Sequence, residues 1–239
     1  MKKFIKFLFA SDKTFAKGLC FQKLFFFFII GCVFGCIWEE TLEFFVQYTS
    51  TGTFHFVTRR GLIYGELSPV YGFGGALIIY LLKRRERTWY KNFLYGALIG
   101  GAFEYFASFL QEILTGAVSW DYSHEFMNIN GRTTIPFMLV WGLLALVFVY
   151  IIYPYISSLI EKIPYNLGMI IFYVLFVLIA IDIFISVGAV ARQVLRRYGY
   201  HPFSPLGDFF DHFYPDERIA QVYNNAVLKW LYIYKVSFF

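Results

Sequence analysis

Charge is what this chain has least of. Only 15% of its 239 residues are Asp, Glu, Lys or Arg, where a soluble domain carries about a quarter. A water-soluble fold is excluded on that ground, and a mean hydropathy of +0.57 agrees. Cysteine is scarce as well: Cys20, Cys32 and Cys36 make no disulfide framework. Cys32 and Cys36 share a helix face, but C-x3-C is neither a redox nor a typical zinc spacing, so packing is their expected role. There is no Gly-x4-Gly-Lys-Ser/Thr loop, which excludes P-loop ATP binding by this chain itself. Gly-x-Ser-x-Gly and His-Glu-x-x-His are missing too. No catalytic residue, metal site or cofactor is assigned.

What is present is apolar and aromatic. Hydrophobic residues make up 59% of the chain and aromatics 23%, with 31 Phe and 19 Tyr. Such residues suit lipid faces and membrane interfaces. At about 20 residues per crossing, the pattern predicts an all-α, polytopic integral membrane bundle of about five transmembrane helices. The spans fall at 21–46, 69–82, 92–114, 135–157 and 166–190. Leu62–Pro69, apolar but punctuated by Gly65, is expected to re-enter the membrane surface, and residues 69–82 read as a short or half span. Three regions result: a cationic interfacial arm (1–20), a transmembrane domain (21–191) and a polar, aromatic tail (192–239). Within the tail, Ile219–Phe239 reads as an amphipathic interfacial helix. His201, Asp208, Asp211 and His212 read as solvated surface rather than metal ligands.

A net charge of +5 is no nucleic-acid footprint; its distribution carries the information. Lys2, Lys3, Lys6, Lys13, Lys17 and Lys23 precede the first span. Lys83, Arg84, Arg85, Arg87 and Lys91 follow the second. The positive-inside rule places both clusters in the cytoplasm, in a multi-pass protein of the cell membrane with a cytoplasmic N-terminus. Five crossings then put Arg192, Arg196 and Arg197 outside, against the same rule.

Two acids inside spans stand out. Gly31-x3-Gly35-x3-Glu39 and Gly96-x3-Gly100-x3-Glu104 repeat one ladder 65 residues apart. Glycines four apart share a face and admit a close neighbour. A carboxylate in hydrocarbon costs several kcal/mol unless paired, protonated or facing water, which marks a functional site. Each ladder is followed by an arginine beside glycine (Arg60-Gly61, Gly131-Arg132), a proline, and an aromatic-glycine pair (Tyr71-Gly72, Trp141-Gly142). The order suggests a parallel repeat of spans 1–2 and 3–4 with a site between them. The expected pairings are Glu39 with Arg60 and Glu104 with Arg132, or the crossed arrangement. Glu43 lies one turn beyond Glu39 on the same face. Asp121 and Asn130, in the Trp120-Asp121-Tyr122-Ser123 and Asn130-Gly131-Arg132 clusters, either wall a cavity mouth or simply shape the loop. Asp182, with Ser186 one turn on, reads either as a proton or cation site or as a hydrogen-bonded packing residue, the second being favoured.

These motifs occur in order: Trp38-Glu39, Arg60-Gly61-Leu62-Ile63-Tyr64-Gly65, Pro69-Val70-Tyr71-Gly72-Phe73-Gly74, Glu104-Tyr105, Trp120-Asp121-Tyr122-Ser123, Asn130-Gly131-Arg132 and Trp141-Gly142. Together they resemble the family catalogued as putative ABC-transporter type IV (CmpB-like) membrane proteins, over about residues 25–160. The chain departs from that family's usual pattern at Glu66, where proline is common, and at Ser119, where a second tryptophan stands. The resemblance implies a permease-like protein moving a small polar solute or ion, with an ATPase or other membrane subunit as partner and the bilayer as its surroundings. Its polar set would be Glu39, Arg60, Glu104, Asp121, Asn130 and Arg132. Two other readings fit the same residues: a membrane-embedded transferase or hydrolase acting on a lipid or isoprenoid headgroup, and a non-catalytic accessory or sensor subunit.

Overall fold

A computed structural model describes residues 11–53 and 56–228. Lys2, Lys3 and Lys6 of the expected arm, and 229–239 of the expected amphipathic segment, lie outside the described residues. The chain forms α1 (Phe21–Thr51), α2 (Pro69–Lys83) and α3 (Trp89–Thr115), then α4 (Ile135–Val147). A π-helical turn, Phe148–Ile152, joins α4 to α5 (Tyr153–Glu161), and α6 is Tyr165–Arg197. Pro154 has no N–H to give the carbonyl four residues back, and the preceding turn widens accordingly. Counting Ile135–Glu161 as one rod, four helices among the described residues are long and apolar enough to cross a membrane, and α2 is a shorter apolar one. The expected all-α membrane bundle is what forms.

Glycine stops the two ladder helices in the same way. Gly52 and Gly116 both turn left-handed (φ 68 each) and return their N–H to the last turn, at Tyr48 O and Glu112 O. The second hairpin starts with a capped helix: Thr134 accepts from the Phe137 N–H. At 15 residues, α2 rises only about 22 Å, less than the roughly 30 Å of a hydrocarbon core. The preceding loop makes up the difference. Leu62 and Ile63 are buried, and the N–H groups of Ile63 and Tyr64 donate to Ser186 Oγ (2.9 Å) and Asp182 Oδ1 (3.1 Å) on α6. Ser68 N–H reaches Cys32 O at 3.0 Å. Irregular backbone at this depth needs such internal partners. Asp182 and Ser186 therefore pin the backbone of this loop to α6.

Helices α1–α2 and α3–α4 form antiparallel hairpins. The loops 52–68 and 116–134 and the C-terminal end of α6 accordingly share one end of the bundle. Residues 11–20 and the turns at 84–88 and 162–164 share the other. At that second end Phe15 is wholly buried beneath Gly168, and Thr14 bridges to Pro164. Lys23 is wholly buried too, bonded to Ser157 Oγ (2.6 Å) and to the Glu161 carboxylate. It belongs to the packing rather than to a surface cluster.

The tail folds back as a cap. Helices α7 (Pro205–Phe213) and α8 (Asp216–Val222) bury Phe210, Tyr214, Ile219 and Val222 against Ile63 and Ala189. Strand β1 (Ala117–Val118) pairs antiparallel with β4 (Val227–Leu228). Strands β2 (Asn128–Ile129) and β3 (Thr133–Thr134) form a small hairpin in the second loop. The single amphipathic helix expected from Ile219 stops at Val222, where a turn through Asn224 and Asn225 leads into the strand. Two of the three arginines that conflict with the charge rule are paired with acids here, while Arg197 bonds the Gln193 side chain (2.9 Å). Arg192 grips Asp211 at 2.7 and 3.0 Å, and Arg196 meets Asp211 and Asp216 at 2.5 Å each. These bonds hold the Asp211 carboxyl below the usual range, Arg192 contributing most.

Candidate functional site

The two ladders make the same close approach. A Cβ on Gly31 would sit 3.1 Å from Gly72 Cα, and one on Gly35 would overlap the base of the Tyr71 ring. In the second hairpin a Cβ on Gly96 would strike Ala145, and one on Gly100 would overlap the base of the Trp141 ring. Each glycine ladder thus lays an aromatic residue flat against its helix, one turn before the acid. Tyr71 lies beside Glu39, and the Trp141 indole beside Glu104, close enough to interact with each carboxylate.

Both acids then open onto one cavity of about 370 Å³, together with Arg59, Arg60, Tyr71, Tyr122 and Trp141. Glu39 is half-buried and Glu104 buried. Glu104 is fully engaged: Tyr122 donates to Oε1 (3.1 Å) and the buried Thr133 hydroxyl to Oε2 (2.6 Å). Burial, reinforced by the neighbouring Glu104, pushes the Tyr122 phenol up, so it stays a donor at neutral pH. Tyr71 and Tyr122 each lie within electrostatic range of both acids, which joins the four groups into one cluster. Gln111 and Ser119 extend the wall, and Tyr223 and Asn225 of the tail reach it from above.

The acids converge as the ladders imply, but their partners differ from the expected guanidinium pairs. Among the described residues neither Glu39 nor Glu104 pairs with Arg60 or Arg132. Arg132 meets Glu112 at 2.5 Å, two turns beyond Glu104, and lies over the Tyr105 and Phe109 rings. Arg59, not Arg60, bonds Glu43 at 2.6 Å, and its backbone N–H donates to Glu40 (3.2 Å). The reason is reach: each arginine sits at the helix end and takes the nearest acid there, while the deeper acids take loop hydroxyls and aromatic donors. Arg60 faces Glu66 only at 3.8 Å, and its buried Nε has no hydrogen-bond partner.

The remaining candidates shape the loop. Asp121 accepts from the Ser123 N–H (3.0 Å) and hydroxyl (2.5 Å), and Asn130 donates to the Tyr105 hydroxyl (3.0 Å). Neither lines the cavity. Cys36, Glu40 and Glu66 place a thiol and two carboxylates within 4.8 Å of one another, a spacing a metal ion could use. In this arrangement the thiol, with its single hydrogen, has two carboxylate acceptors within reach, Glu40 at 3.5 Å and Glu66 at 3.7 Å. Tyr122, Thr133, Gln111 and Tyr223 were not singled out by their own residue type. Only the Trp120-Asp121-Tyr122-Ser123 cluster signalled any of them.

A family model described as Putative ABC-transporter type IV matches residues 26–187. The match begins in α1 and ends in α6, past the limit near 160 that the motifs alone imply. It takes in Asp182 and Ser186, the α6 partners of the loop backbone at Ile63 and Tyr64. No curated protein and no solved structure matches the chain.

Proposed function

Because this chain belongs to the family described as Putative ABC-transporter type IV, we propose that it is a permease-like membrane protein. Its cavity takes a small polar solute that carries both signs of charge. The observation that carries this reading is the convergence of Glu39 and Glu104 on one cavity that also holds Arg59 and Arg60. Glu104 is held rigidly by its loop donors, while Glu39 keeps fewer bonds and is free to exchange Tyr71 for a cationic group. Arg60, with an unused buried Nε, faces the anionic end. Such a zwitterion would replace the counter-charges that hydrocarbon does not supply.

Residues 11–20 and the Lys83–Lys91 cluster share one end of the bundle, which the positive-inside rule assigns to the cytoplasm. The cavity, its two loops and the cap would then lie outside. Two of the three tail arginines count little against this, Arg192 and Arg196 being neutralised by Asp211 and Asp216. An ATPase subunit would dock at the arm end.

The test is a deletion strain complemented with wild type, Glu39→Gln or Arg60→Ala, followed by metabolite profiling of cells and medium. Wild type should restore the distribution of a zwitterionic solute, and each variant should lose it while reaching the membrane at normal levels. Full complementation by both variants would refute the reading.

A further inference from the structure

Next to the polar cavity lies a second one of about 410 Å³ between α3 and α6, and the two share Gly61, Gln111, Ser119 and Tyr223 in their walls. The remaining walls of the second are mostly apolar, with Leu62, Leu114, Val187 and Val190 foremost. Leu114 and Val187 are about 60% exposed, at 62% and 64%, on helices that cross the membrane. The outer side of this hollow therefore faces acyl chains. α3 and α6 barely touch each other there. Tyr223 and Ala226 of the cap bound it together with Thr115 and Ala117.

A polar chamber that shares a wall with an apolar slot open to the bilayer has the outline of an amphiphile. Resting on the zwitterionic-solute reading above, we infer that the occupant is a phospholipid whose headgroup carries an amine. Its phosphate meets Arg60, the guanidinium whose buried Nε lacks a partner. A guanidinium fork matches phosphate oxygens. Its ammonium lies toward Glu39, among the aromatic faces of Tyr71, Trp120 and Trp141, which suit a cation. Its acyl chain leaves through the slot between α3 and α6. Gln111, in both walls and bonded to Ser119 at 2.8 and 3.1 Å, marks the level where polar gives way to apolar.

The test uses the full chain in nanodiscs containing phosphatidylethanolamine with a diazirine at the end of one acyl chain. Irradiation should label Leu114, Val187 and Val190 above the outward residues Val174 and Val177 of α6. Ala191→Trp, an exposed position on the slot wall, should remove that excess. Arg60→Ala should lower it about tenfold, as expected for loss of a charge-assisted hydrogen bond, and Arg60→Lys should restore part of it. Soluble phosphoethanolamine serves as competitor and separates a free headgroup from a lipid. Labelling spread evenly over α6, or unmoved by Ala191→Trp, overturns the lipid inference. If in that case phosphoethanolamine still binds and Glu39→Gln abolishes it, the polar-solute reading survives. If binding of both probes ignores Glu39→Gln and Arg60→Ala, both readings fall.

Discussion

The first hairpin and the second are built alike and held differently. Both set a glycine ladder against an aromatic ring and end the ladder in a glutamate that faces the shared cavity. Around Glu104 the loop closes in, with Tyr122 and Thr133 occupying both oxygens. Around Glu39 the corresponding loop turns away and ties its backbone to Asp182 and Ser186 on α6. One acid is thus a fixed wall and the other a free contact. Equivalent sequence positions do not guarantee equivalent jobs; the job depends on where the following loop places its donors.

The largest effect should come from what the hairpins share. Gly35→Leu or Gly100→Leu forces a side chain into the base of an aromatic ring that has no flexible end to move aside. Overpacking of this kind costs about 1–3 kcal/mol or more. Both variants should lose thermal stability in detergent to a similar degree, and tolerance in one hairpin alone would show that the two approaches are not equivalent.

The next effect separates the hairpins. Thr133→Val leaves one oxygen of the buried Glu104 without its donor, at a cost of about 1–3 kcal/mol. Tyr71→Phe, beside the less enclosed Glu39, should cost clearly less. Melting both variants against wild type checks the order, and the reverse order would break the assignment of fixed and free acids.

The smallest effect concerns how the cap holds each loop. Asp211 is depressed by Arg192 and Arg196, so its bonds stabilise the cap fully above the unfolded carboxyl value of about 3.9. That stability is lost as pH falls below it towards the folded value. The cap meets the first loop through side chains, Ile63 and the Tyr64–Tyr214 hydroxyl pair at 2.8 Å. It meets the second through the β1–β4 ladder. Amide exchange between pH 5 and 3 should therefore rise sooner at Ile63 and Tyr64 than at Ala117 and Val118, after correction for intrinsic rates. Equal rises would mean that the cap moves as one body.

The crossings could be read from the sequence because hydrophobic length is a local property. So could the meeting of Glu39 and Glu104, since matching ladders followed by matching turns place both at one depth. Asp182 as a packing residue followed from its neighbour Ser186. The pairings could not be read. Arg132 and Glu104 look like partners in a motif, yet the helix continues for eleven residues past Glu104 and offers Glu112 nearer the arginine. Thr133 looks like an ordinary strand residue until the loop's fold delivers its hydroxyl. The cap was the least legible part. Its polar composition resembles a solvated tail, because Arg192, Arg196, Asp211 and Asp216 cancel one another only after folding.

The cap also has a consequence in time. Residues 205–228, which roof the cavity, leave the ribosome after every helix they cover. While the nascent bundle waits for them, Glu39, Arg60 and the slot beside α3 stand open to whatever lipid and insertion machinery surround it. Assembly of the site is therefore a late event in the life of each molecule, and its occupant could be taken in before the roof is on.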